Sequence, residues 1–146
     1  MSNLIEQIKE SEGFSATVYR CTGKSTADNR DGSSGYDTIG YGFAIKDLVL
    51  DEDIASMILE RKIAELKLRI QQKFPFYDDM PEAVQDVVVE MCYQMGVSGF
   101  SKFKKTIDHF MRKDYKAASE EMLDSRWAKQ TPNRAKKLSD YVKYAR

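Results

Sequence analysis

Apolar residues recur along this chain in two rhythms, and the change between them divides it. In residues 3–12, Leu4, Ile5 and Ile8 share one face at helical spacing, with Ser2 or Asn3 available as a cap. Gly13, just past Glu12, is a natural terminator. Two strand-like stretches follow, Thr17-Val18-Tyr19-Arg20-Cys21-Thr22 and Tyr36-Asp37-Thr38-Ile39-Gly40-Tyr41-Gly42, and they predict a hairpin over about 17–43. The segment between them, 23–35, is loop chemistry throughout and too long for a tight turn.

Helical spacing then returns. Asp51 can cap a long helix to about residue 73, in which Ile54, Met57, Ile58, Arg61, Ala64, Leu66, Leu68 and Ile70 give a mixed periodicity. Such an unclean face suits a partly wet helix joining two lobes. Phe74-Pro75-Phe76 stops it. Pro81 opens a strongly apolar helix to about residue 95, and Gly96-Val97-Ser98-Gly99 breaks the chain. A helix over 100–112 turns Phe100, Phe103, Ile107, Phe110 and Met111 inward. Asp114 caps the next, to about residue 123. Trp127, in a short helical piece, reads as a core anchor, and Thr131-Pro132 caps and opens the last helix. The fold class is α+β and mostly helical, a single domain over 1–146. It has a small N-terminal lobe with a helix and a β-hairpin (1–50), a connecting helix (51–73) and a helical C-terminal lobe (74–146). This layout leaves a cleft between lobes, where ligand sites tend to lie.

At 146 residues the chain can bury a core without staples. No run approaches the roughly 18 apolar residues that span a bilayer, so membrane insertion is not expected. The first residues lack a signal-peptide layout, so synthesis and folding are expected in cytoplasm. Cys21 and Cys92 lie far apart and form no disulfide framework; Cys92, in the apolar run 87–93, reads as a buried core thiol. His109, the one histidine, falls between core positions and reads as a surface residue. No Cys/His grouping has metal-ligand spacing, and the ligand spacing of a calcium loop fails at Asn29-Arg30-Asp31-Gly32, so no metal or cofactor is expected. Formal net charge is zero, which argues against a nucleic-acid partner. The charge is uneven, however. Asp and Glu gather in 28–86, while Arg126, Lys129, Arg134, Lys136, Lys137, Lys143 and Arg146 make the C-terminal end basic. That end either faces an anionic polymer or is a solvated face of the closing helices.

The candidate chemistry centres on Glu12. It stands where the first helix ends, at the negative end of the dipole, ahead of a hairpin carrying a thiol and a hydroxyl. A protonated acid beside a leaving oxygen is what glycoside cleavage needs. Glu12-Gly13, the strand with Tyr19, Thr38-Ile39-Gly40-Tyr41-Gly42, Tyr93-Gln94-Met95-Gly96, Gly99-Phe100 and the block from Ser125-Arg126-Trp127 through Thr131-Pro132-Asn133-Arg134 to Lys136 occur in this order over most of the chain. This ordered set resembles the T-even phage lysozyme family, which includes phage endolysins.

The resemblance implies hydrolysis of the β-1,4 bond between N-acetylmuramic acid and N-acetylglucosamine in peptidoglycan, for bacterial host cell lysis. It implies a catalytic pattern of Glu, eight residues, Asp or Cys, and then Thr, which falls on Glu12, Cys21 and Thr38. Thr38 is farther from Cys21 than is usual in the family, implying an inserted loop around 25–35. Thr26 is nearer the usual count but lacks the Ile-Gly context. Phe43 stands where a His often follows, and the family's basic balance is absent. The resemblance further implies substrate-lining positions at Tyr93, Gln94 and Phe103, with Ala44 and Glu121 beside them, and an acid-pairing arginine at Arg134. The implied partner is a peptidoglycan glycan strand, met by a monomer without cofactor. The implied location is the host bacterial cytoplasm, with a separate membrane pore giving access to the periplasm or wall.

Cys21 leaves several roles open. A free thiol has a pKa of about 8.5 and is mostly protonated near neutrality. As a thiolate it could activate water or attack the anomeric carbon; as a thiol it could shape the site while Thr38 orients water. Asp37, Asp31 or Asp28 could supply a carboxylate instead. A second reading of the whole chain is a catalytically weak or inactive lysozyme-fold module that binds cell wall or a partner protein, and a third is a toxin or tail-associated lysozyme domain of a larger machine.

Overall fold

The computed structural model describes residues 2–21 and 36–146. It divides into two compact units, Met1–Glu52 and Asp53–Arg146.

The first unit opens with α1 (Ser2–Glu12). Gly13, at φ +70, ends it, and its N–H donates back to the Lys9 carbonyl at 2.9 Å. A three-stranded antiparallel sheet follows, in the order β1 (Ser15–Cys21), β2 (Tyr36–Gly40), β3 (Phe43–Ala44). The pair β1–β2 is the expected hairpin, starting two residues earlier than its sequence signal. Tyr19 lies opposite Thr38, Arg20 opposite Asp37 and Cys21 opposite Tyr36, with a register shift between Ser15 and Tyr19. The third strand was not legible in the sequence. It forms because Gly40 and Gly42, at φ +73 and +76, reverse the chain so that Ile39 pairs with Phe43 and Thr38 with Ala44. Thr38 on the central strand is the one buried residue among those described in this unit. The loop expected around 25–35 lies outside the described residues, with Thr26, Asp28 and Asp31.

Among the described residues, the buried hydrophobic core lies in the second unit. The long helix α2 (Glu52–Lys73) sends Leu66 and Ile70 into it, with Ile63 half-buried one turn earlier. These three fall at the 3–4-residue spacing of a helix face, whereas the apolar residues near its start stay uncovered. A 3₁₀ turn, Pro75–Asp79, leads into α3 (Glu82–Phe100). Val84, Val87, Val88, Val89, Met91 and Cys92 are buried around α3, which makes it the central helix. Gly96, at φ 80 and ψ 160, breaks it where the sequence placed a break, but helical turns resume through Phe100. The expected helix over 100–112 is therefore shorter. Phe100 closes α3, Ser101 Oγ donates to the Ser98 carbonyl at 2.6 Å, and α4 runs Lys104–Met111.

Asp114 caps α5 (Tyr115–Leu123) as expected, accepting from the Ala117 N–H at 3.2 Å. Ser125 caps α6 (Arg126–Gln130), accepting from the Ala128 N–H at 3.1 Å. Thr131 does not cap α7 (Pro132–Lys143) with its side chain. Its hydroxyl instead donates back to the Trp127 carbonyl at 3.0 Å, and Pro132 starts the helix. Trp127 is in the core, as expected. His109 is not the surface residue it resembled: it is half-buried, and its Nδ1 is enclosed without a hydrogen-bond partner. By sequence the first unit carries 9 acidic against 5 basic side chains and the second 14 against 18, so the neutral total conceals a division by unit.

Candidate active site

In the first unit the end of α1 meets the turn between β2 and β3. Gly13 stops the helix directly after Glu12, leaving that side chain at its C-terminal edge. The Glu12 carboxyl lies against Gly42. A Cβ built at Gly42 would stand 2.7 Å from Glu12 Oε2 and 3.3 Å from its Cδ. The rest of the turn is aromatic. Tyr41 lies 5.4 Å from Phe14 and 6.5 Å from Phe43 between ring centroids, and Lys9 Nζ is 5.6 Å from the Tyr41 ring. An acid, a glycine-flanked turn and the threonine strand thus converge within one small unit.

Thr38 sits inside that unit, 3 % exposed. Its hydroxyl donates to the Tyr36 carbonyl at 3.0 Å, which leaves its lone pairs as acceptors. Ala44 is half-buried and paired with Thr38 across β2–β3, so register brings it beside the threonine. The backbone of Cys21 lies opposite Tyr36 on β1. Asp37, the described alternative carboxylate, is exposed and pairs with Arg20 at 3.3 Å.

The remaining candidates belong to the second unit and fall around two cavities. Phe103 and Glu121 line one of about 470 Å³, together with Trp127 and the cationic side chains Lys102, Lys104, Lys105 and Arg126. Phe103 is stacked on Phe100 at 6.2 Å and meets Trp127 edge-on at 6.0 Å, so it is partly a core residue. Gln94 is tied to the same wall, accepting from Trp127 Nε1 at 2.9 Å. Tyr93, 51 % exposed, and Arg134 line the other cavity, of about 550 Å³. Arg134 Nε donates to Glu90 Oε2 at 2.7 Å, with both side chains half-buried.

Two participants escaped sequence reasoning. Gly42 was visible as part of a double-glycine motif, but nothing in the sequence said that it faces Glu12. Glu90 looked like any polar position on an apolar helix, and its pairing with Arg134 spans 44 positions. Among the described residues, no group of three or more His, Cys, Asp or Glu side chains could hold a metal ion, and no helix is long and apolar enough to cross a membrane.

A family model described as Phage lysozyme matches residues 9–142. A curated relative, Probable T4-type lysozyme 1 of Dictyostelium discoideum, is 23% identical over 172 aligned positions, covering 97% of this chain and 94% of the relative. The match takes in α1's end, the sheet and every helix of the second unit, and the chain belongs to the phage lysozyme family.

Proposed function

We propose that this protein is a lysozyme, a peptidoglycan hydrolase that cleaves the β-1,4 bond between N-acetylmuramic acid and N-acetylglucosamine. The observation that carries the reading is the Glu12 carboxyl held at the end of α1 against the turn that follows Thr38. Glu12 is the general acid, giving its proton to the glycosidic oxygen as the bond breaks. Thr38 accepts a hydrogen bond from the water that completes hydrolysis, since its own proton is committed to Tyr36. Cys21 takes the second catalytic position. Tyr93, Gln94, Phe103, Ala44 and Glu121 are the proposed contacts to the glycan strand. Arg134 is the proposed partner of the acid. The setting that fits is release of phage from a bacterial host, with a separate pore giving access to the wall.

Clearing of purified peptidoglycan and release of reducing ends test the proposal. Glu12→Gln is expected to lose about 10²–10⁴-fold in rate with an unchanged circular dichroism spectrum. Lysis at the wild-type rate by that variant would remove the assignment. Cys21→Asp should keep activity and Cys21→Ala should lose most of it; full activity of the alanine variant would leave the thiol no chemical part.

A second reading, a wall-binding module with little catalysis, draws on the thiol at position 21. Wall binding by the wild type without reducing-end release would favour it.

A further inference from the structure

We propose that Gly42 is a positioning residue for Glu12: the missing side chain at this position is what lets the acid lie against the β2–β3 turn. The inference rests on the reading of Glu12 as the acid. Its physical basis is separate, because it concerns where one carboxyl can sit. Glu12 ends a helix and its side chain is exposed, so its own helix does little to fix its rotamer. In this unit its carboxyl lies beside the bare backbone at Gly42. A methyl group there would come within 2.7 Å of Oε2, closer than real Cβ atoms approach oxygen. The atom in the way is the far end of a flexible side chain. The clash is therefore relieved by swinging the carboxyl away and not by moving the sheet. The cost falls on the position of the proton donor.

Gly40 supplies an internal control. It sits two residues away, at φ +73 against +76, so alanine at either site meets the same left-handed backbone penalty. A Cβ at Gly40 would meet the Phe43 ring at 2.8 Å and has no part of Glu12 within 4 Å among its nearest atoms. The two substitutions thus share strain and differ in what they push.

The test compares wild type, Gly40→Ala and Gly42→Ala by reducing-end release and by the ¹³C resonance of the Glu12 carboxyl, assigned through Glu12→Gln. Gly42→Ala should lower kcat by about a hundredfold with KM nearly unchanged, the effect of displacing a reacting group by about 1 Å. It should also move the Glu12 resonance. Gly40→Ala should lower the unfolding temperature to a similar degree while leaving the Glu12 resonance in place and keeping most of kcat. Wild-type kcat and an unmoved resonance in Gly42→Ala would overturn the proposal, as would equal losses in the two variants. If the wild-type protein releases no reducing ends, the enzymatic reading fails, and the carboxyl resonance still decides whether Gly42 places Glu12.

Discussion

Cys92 is 2 % exposed, and its burial pushes the thiol up to about 12, against the opposing pull of Arg69 and Lys73. In the unfolded chain a thiol titrates near 8.5. Above that pH the unfolded state gives up its proton while the folded state keeps it, so unfolding is favoured as pH rises. The stabilisation is complete below about 8.5 and is lost progressively toward 12. Tyr77, raised by burial and by Asp86 and Asp78, and Tyr115, raised by burial, extend the decline at higher pH. Urea midpoints measured from pH 8 to 11 should fall, and Cys92→Ala, though less stable at pH 8, should fall less steeply. Parallel slopes for the two proteins would contradict this assignment. At this scale the sequence revealed what chemistry and local spacing determine: Glu12 at a helix end, Cys92 in a core, Trp127 as an anchor. It was silent wherever a residue's role depends on a distant contact. Glu90 holding Arg134, Gln94 holding Trp127 and Gly42 touching Glu12 all span more than 25 positions.

The helices and strands follow local rules closely, and the exceptions share a cause. Asp114 and Ser125 cap α5 and α6 with side-chain oxygens, and replacing either with alanine should cost about 1 kcal/mol in urea unfolding. Thr131→Ala should lose less at the helix start, because its hydroxyl serves the preceding turn and not an α7 amide. Gly96 adopts φ 80 and ψ 160 with open space where a Cβ would go. Gly96→Ala should therefore be destabilising by about 1–3 kcal/mol through backbone strain alone. A neutral result in denaturant titration would mean that the chain can straighten there. The break at Gly96 was legible because glycine punctuates a helical pattern. The resumption of helix through Phe100 was not, because burial of Phe100 and Val97 in the core decides it. The two-residue strand β3 was equally hidden, since two residues carry no periodicity.

Across the whole molecule, burial among the described residues is concentrated in one unit. Among the described residues, every member of the buried hydrophobic core lies in residues 53–146, and Thr38 alone is buried in 1–52. A fragment of residues 53–146 should unfold cooperatively on heating, while one of 1–52, near the size where small domains fail without staples, should not. Circular dichroism melts of the two fragments decide this; a cooperative transition in the smaller one would show that its sheet and helix suffice. The chain's family was legible from ordered motifs spanning both units, whereas the division of burial between them was not, because sequence spacing shows which faces are apolar and not what covers them. The sorting of acidic and basic side chains by unit has its own consequence. At its isoelectric point the protein is a segmented zwitterion. A cation-exchange resin should retain it through residues 100–146 despite zero total charge, and a modest salt gradient should elute it.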